Sequence, residues 1–267
     1  MIAVEFGSKH NGFPSLLSDR DLLIVHEDWS QVDREMNRFK LLGYDISIMH
    51  RKKMGFLCAS GSLFMKHIID QGVVIFGGEG EINRARKEWT PKLNYQTEIN
   101  ENLELLELLG FLPKNNYSSL FAIDLLIISI RNILIRRFAA EGMYIFSWEQ
   151  LFDSAVKFKW LSERDVSILL ISRKIKNAYR NKIYFNVGRS FLDVLMSIAR
   201  KVIGLNFYLG FCNNKKTILS LPERFADRSY KQLRSIEIIC SYYGYGHNVN
   251  HLHEMVASPS YFCNAKL

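Results

Sequence analysis

The hydrophobic period changes once along the chain, and that change limits the folds open to it. Up to about residue 95, short runs suited to strands alternate with stretches of helical spacing, the pattern of a layered α/β arrangement. Beyond it the spacing is helical nearly throughout. The predicted strands are Ala3 to Phe6, Asp21 to Val25, Asp45 to Met49 and Val73 to Phe76. Between the second and third, Gln31 to Leu42 sets Val32, Met36, Phe39 and Leu42 at helical spacing and stops at Gly43. Between the third and fourth, Phe56 to Ile69 reads as one helix ending near Gly72. The stretch EWTPKLNYQT, residues 88–97, holds Pro91 and no clear period and serves as a linker. The fold class expected is therefore α+β: a small mixed sheet with helices in residues 1–95, then a helical bundle in residues 96–267.

In the second part, Leu103, Leu106, Leu108 and Leu109 form an apolar face whose helix ends at Pro113, and Tyr117 to Ala139 follows as a long central helix. Ser147 with Gln150, and Ser162 with Asp165, have the spacing of helix starts capped by a hydroxyl. Five or six helices are expected in all. The most apolar stretch, Leu120 to Leu134, is interrupted by Asp124 and Arg131 and falls short of the roughly 20 clean residues a membrane span needs. It reads as a buried helix, with no membrane partner, and Arg131 must find a buried partner or line a cleft. A chain of 267 residues that is 48% hydrophobic has enough apolar material for two such cores. Cys58, Cys212, Cys240 and Cys263 show no paired spacing, and an acidic Glu5 stands where a secretory leader carries basic charge, so a reducing, cytoplasmic setting is expected.

The local pattern richest in chemistry is GSKHNGFPSLLSDRDLLIV, residues 7–25. Gly7 and Ser8 end a strand, and Asp19-Arg20-Asp21 opens the next after a ten-residue connection. Side chains two apart on a strand point the same way, so Asp19 and Asp21 would converge. Converging carboxylates repel unless a divalent cation neutralises them, and Mg²⁺ accepts one or two carboxylates together with phosphate oxygens. Gly7 lets backbone N–H groups approach a phosphate, and the Ser8 hydroxyl adds a donor. YDISIM, residues 44–49, puts Asp45 at the head of the next apolar strand.

Gly-Ser, a spacer and Asp-x-Asp followed by apolar residues resembles the defining motif of the DNA polymerase β-like nucleotidyltransferases, and Asp45 stands where that superfamily carries its third carboxylate. SGSLFMKHIIDQGVVIFGG, residues 60–78, is similar to the helix and short strand that follow. The resemblance covers roughly residues 3–80 and implies two Mg²⁺ (or Mn²⁺) ions. Asp19 and Asp21 would bridge both; Asp45 would hold the ion nearest the attacking hydroxyl and accept its proton. It implies transfer of a nucleoside monophosphate from an NTP or dNTP such as ATP or dATP to a hydroxyl acceptor.

Residues 1–100 hold 13 Lys and Arg against 13 Asp and Glu, whereas residues 101–267 hold 22 against 14, so the whole net charge of +8 sits in the second part. Such a part suits a polyanion, a triphosphate or an oligonucleotide product, and would repel a polycationic antibiotic. In SRKIKNAYRNK, residues 172–182, Arg173, Lys176 and Arg180 share a helical face that either reaches a nucleotide or is merely solvated. His247 and His251 are four apart, with His253 beside them, but have no acidic or cysteine partner at zinc-site spacing. Tyr261, in the tail SPSYFCNAKL, is a chemically adequate nucleotidyl acceptor. In defence-associated relatives of the Hailong type a tyrosine near the C-terminus is thought to prime oligodeoxynucleotide synthesis. Three functions are consistent with the resemblance: a synthetase making an oligonucleotide signal for an effector in antiphage defence, an antitoxin-type enzyme that adenylylates a partner toxin, and a catalytically silent nucleotide-binding module.

Overall fold

The structure, a computed structural model, describes residues 1–7, 20–113, 115–181, 183–204, 209–210, 212, 214–221 and 229–242. It is α+β, a small mixed sheet near the N-terminus followed by helices. Four strands, β1 (Ile2–Phe6), β2 (Asp21–His26), β3 (Asp45–His50) and β4 (Val73–Phe76), stand in the order β3-β2-β1-β4. β2 runs parallel to β3 and antiparallel to β1, which is antiparallel to β4. β2 reaches its parallel neighbour only through a crossover, supplied by α1 (Val32–Leu41).

Both faces of the sheet are covered, which is why β2 reads as an unbroken apolar run from Leu22 to Val25. Ala3, Leu22, Ile24, Ile46 and Ile48 meet Val32 and Phe39 of α1 on one face. Val4, Phe6, Leu23, Val25 and Met49 meet the opposite layer, made by α2 (Arg51–Ala59), α3 (Leu63–Gln71) and α4 (Gly80–Glu88). The single helix expected from Phe56 to Ile69 is two. Ser60 and Gly61 break it, because Gly61 takes a positive φ of 68° and lies so close to Thr90 that a Cβ would stand 2.6 Å from its carbonyl oxygen. Ser62 then starts α3 by accepting from the Met65 N–H.

The chain divides into two compact units. The first takes in Met1–Asn94 and also Ala140–Ser147, a segment that the sequence pattern had placed with the helices. In that segment Phe146 stacks on His67 with ring centroids 4.6 Å apart, and Tyr144 meets the edge of Trp89 at 5.3 Å. The second unit takes in Tyr95–Ala139 and the described part of Trp148–Val256. Among the described residues it holds α5 (Gln96–Leu106), α6 (Asn116–Ala140, whose last residue is assigned to the first unit), α7 (Trp148–Lys157), α8 (Glu163–Arg180), α9 (Arg189–Ile203), the short α10 (Lys215–Leu219) and α11 (Ser229–Tyr242). That is seven helices where five or six were expected, and residues 107–111 close α5 as a tighter 3-10 turn.

The central helix α6 is long and apolar enough to cross a membrane by length and composition, yet 78% of its apolar window is buried within the protein. Its Asp124 is fully buried and ion-paired. The start of α8 carries the expected reciprocal cap: Ser162 Oγ accepts from the Asp165 N–H, and the Asp165 carboxylate accepts from the Ser162 N–H.

Candidate active site

Asp21 is the first residue of β2 and Asp45 the first of β3, and the parallel register makes them Cα partners. Strand alternation puts Asp21 on the face of Leu23 and Val25, and Asp45 on that of Ser47 and Met49, which is the face covered by α2, α3 and α4. Neighbouring strands lie about 4.8 Å apart, so two carboxylates in register on one face can hold one cation between them. Asp21 is half-buried and Asp45 exposed.

Phe6 is the Cα partner of Asp21 across the antiparallel pair, and Gly7 follows it with a φ of +108°, a conformation that favours glycine. Gly7 thus stands at the same end of the sheet as the two carboxylates. Ser8 and Asp19 lie outside the described residues. Among the described residues no group of three His, Cys, Asp or Glu side chains converges as a metal site. Asp21 and Asp45 contribute hard oxygen donors of the type Mg²⁺ and Mn²⁺ take, so the residues present fit such an ion as far as the pair extends.

On the opposite face, directly behind the carboxylates, is a polar trio that the sequence pattern did not single out. Glu5 of β1 is buried at 8% exposure. The Tyr44 hydroxyl donates to Glu5 Oε2 at 2.8 Å, and Arg20 Nε lies 3.6 Å from Glu5 Oε1. Arg20 also reaches the Tyr44 hydroxyl at 2.5 Å and donates to the Leu42 carbonyl at 3.2 Å, with its guanidinium 4.1 Å over the Tyr44 ring. Arg20 and Tyr44 are the residues immediately before Asp21 and Asp45, and the Asp45 N–H donates to the Arg20 carbonyl at 2.8 Å. The only sequence signal for them is position, one residue ahead of each carboxylate, on the other side of the sheet.

Two of the three basic residues expected on one face of α8 pair with carboxylates. Arg173 is buried at 8% exposure, pairs with Glu149 at 2.7 Å and sits over the Trp148 ring, which Arg131 of α6 also approaches at 5.2 Å. Arg180 grips Asp124 with two bonds, Nε to Oδ1 at 3.1 Å and Nη2 to Oδ2 at 2.6 Å. Lys176 adds positive charge near the same carboxylate. Arg173 and Arg180 have carboxylate partners inside the helical unit. Cys58 packs in the α2 to α4 layer, and burial pushes its thiol up to about 11. His247, His251, His253 and Tyr261 lie outside the described residues.

Comparison with models of protein families, with curated proteins and with solved structures found no match for this chain.

Proposed function

We propose that this protein is a metal-dependent nucleotidyltransferase of the polymerase β-like kind, and the observation that carries the reading is the register pairing of Asp21 with Asp45 at one end of the sheet. Two acids in register on one face offer oxygen donors close enough together to share a divalent cation. Asp21 and Asp45, joined by Asp19, would hold Mg²⁺ or Mn²⁺, which would supply charge neutralisation at the α-phosphate of a bound nucleoside triphosphate. Gly7 and Ser8 would offer N–H and hydroxyl donors to the terminal phosphates.

In the reaction, the acceptor hydroxyl oxygen forms a bond to the α-phosphorus, the bond from that phosphorus to the bridging oxygen breaks, and pyrophosphate leaves. The hydroxyl proton passes to Asp45, the carboxylate on the open side of the pair. The acceptor we favour is a growing oligonucleotide serving as a signal in cytoplasmic antiphage defence, begun on the Tyr261 hydroxyl and read by an effector protein. A partner toxin is the competing acceptor.

The test is incubation with Mn²⁺ or Mg²⁺ and each labelled NTP and dNTP, beside Asp21→Ala and Asp45→Ala, with products resolved on a denaturing gel and by intact-protein mass. A ladder or added mass that each substitution reduces at least a hundredfold supports the reading. Loss of it in Tyr261→Phe identifies self-priming. No product with any nucleotide, in the presence or absence of cell extract as a source of acceptor, leaves the fold as a binding module and sinks the enzyme.

A further inference from the structure

Glu5, Arg20 and Tyr44 join three strands through side chains that stand next to the two acids in sequence or in the sheet. Among the described residues β3 is an edge strand, bonded on one side by β2, and Asp45 is its first residue. The first residues of an edge strand fray most easily, because few contacts oppose local opening. The Asp45 carboxylate therefore keeps its distance from Asp21 only as well as the head of β3 keeps its place.

Three links oppose opening of that strand head, all on the far face. Arg20 reaches from the head of β2 to the Leu42 carbonyl in the turn before β3, which fixes where β3 begins. Its guanidinium lies 4.1 Å from the Tyr44 ring centroid and reaches the Tyr44 hydroxyl, so the residues preceding the two acids are joined side chain to side chain. Glu5, on the neighbouring strand β1, takes the Tyr44 hydroxyl as donor and stands beside the Arg20 guanidinium, which ties both to the interior of the sheet. The planar fork and permanent charge of arginine suit it to this triple engagement, and a lysine would lose the stacking and the geometry.

We infer that Glu5, Arg20 and Tyr44 are positioning residues that set the separation of the Asp21 and Asp45 carboxylates and so the affinity of the site for a divalent cation. The inference rests on the reading of Asp21 and Asp45 as a cation site. None of the three touches the cation or the nucleotide; they act through the backbone of the two acids, from behind.

The test uses the full chain and Mn²⁺ alone, with free Mn²⁺ followed by its electron paramagnetic resonance signal and thermal midpoints measured in parallel without metal. Wild type, Asp45→Asn, Tyr44→Phe and Glu5→Gln are compared. Tyr44→Phe keeps the ring and its packing on Phe39, whose centroid is 5.8 Å away, and removes only the hydroxyl. We expect Tyr44→Phe and Glu5→Gln each to weaken Mn²⁺ binding about tenfold while their melting points stay within about 3 °C of wild type. Wild-type Mn²⁺ affinity in both variants overturns the inference and leaves the cation site standing. Affinity that falls only in step with a large drop in melting point also overturns it, since the trio would then be part of the fold alone. Should wild type and Asp45→Asn bind Mn²⁺ equally, the cation site itself fails, and the role assigned to the trio fails with it.

Discussion

At the scale of single residues, the largest electrostatic commitment lies in the helical unit. Asp124, Arg234 and Glu237 are all fully buried. Arg234 pairs with Asp124 at 2.6 Å and with Glu237 at 2.9 Å, and its guanidinium lies 4.4 Å over the Phe121 ring. The Tyr117 and Tyr179 hydroxyls stand 2.7 Å apart and both reach Glu237 Oε1. Burial alone would raise the Asp124 carboxyl, but the Arg180 and Arg234 guanidiniums outweigh it and hold the group down at about 2. The tyrosines are pushed the other way, well above the ordinary phenol range, by burial and by Glu237. Removing one charge of such a set leaves its partner buried and uncompensated, which typically costs about 3–5 kcal/mol. Asp124→Asn and Arg234→Met are therefore each expected to lower unfolding stability by about 3 kcal/mol in urea titrations. Their combination should cost less than the sum, and strict additivity would show that the pair is not coupled.

At the scale of elements, the break between α2 and α3 is set by one glycine. Gly61 combines a positive φ with a Cβ position 2.6 Å from the Thr90 carbonyl and 2.7 Å from the Lys92 side chain. Gly61→Ala is expected to cost about 1–3 kcal/mol, from backbone strain and the displaced Thr90 segment, and guanidinium unfolding would measure it. A neutral or stabilising result would mean that the turn relaxes freely. This break was hidden in the sequence because Phe56 to Ile69 keeps an apolar spacing across it, whereas the strands were legible from short β-type runs bounded by turn residues. The helix α4 was hidden for the opposite reason: only Ile82 and Ala85 of it are buried, too few to show a period. Sequence placed Asp21 and Asp45 at strand heads, since each precedes an apolar run. It could not supply their register, nor the engagement of Arg20 with Tyr44 behind them, because strand pairing is set by tertiary contacts. The same holds for Asp124, which stood out as a lone acid in an apolar helix, while its partner Arg234 lies 110 residues further on.

At the scale of the whole molecule, a buried histidine in the N-terminal unit and a buried carboxylate in the helical unit should make acid act on the two in sequence. His26, at 1% exposure, ends β2 beside His50, its Cα partner on β3, and its ring lies 4.2 Å from that of Trp29. Its pKa is lowered from 6.5 first by burial and then by His50, with Asp28 pulling weakly upward and the N-terminal amine downward. A histidine held neutral in the fold but free to protonate when unfolded favours unfolding as soon as pH drops below its unfolded value. The N-terminal unit should thus begin to lose stability near pH 6.5 and continue until the lower folded pKa is passed. Asp124 also has a depressed pKa, but for a carboxylate the window lies lower: its contribution is complete above the unfolded value of 3.8 and disappears as pH falls to about 2. Hydrogen exchange read by mass spectrometry at pH 7.0, about 5 and about 3, corrected for the intrinsic exchange rate, should show the β2 and β3 segments losing protection at the middle value while α6 and α8 keep theirs. His26→Phe should remove the first loss and leave the second in place. If β2 and α6 lose protection together in both proteins, the two units unfold as one, and the titration of His26 does not govern the N-terminal sheet.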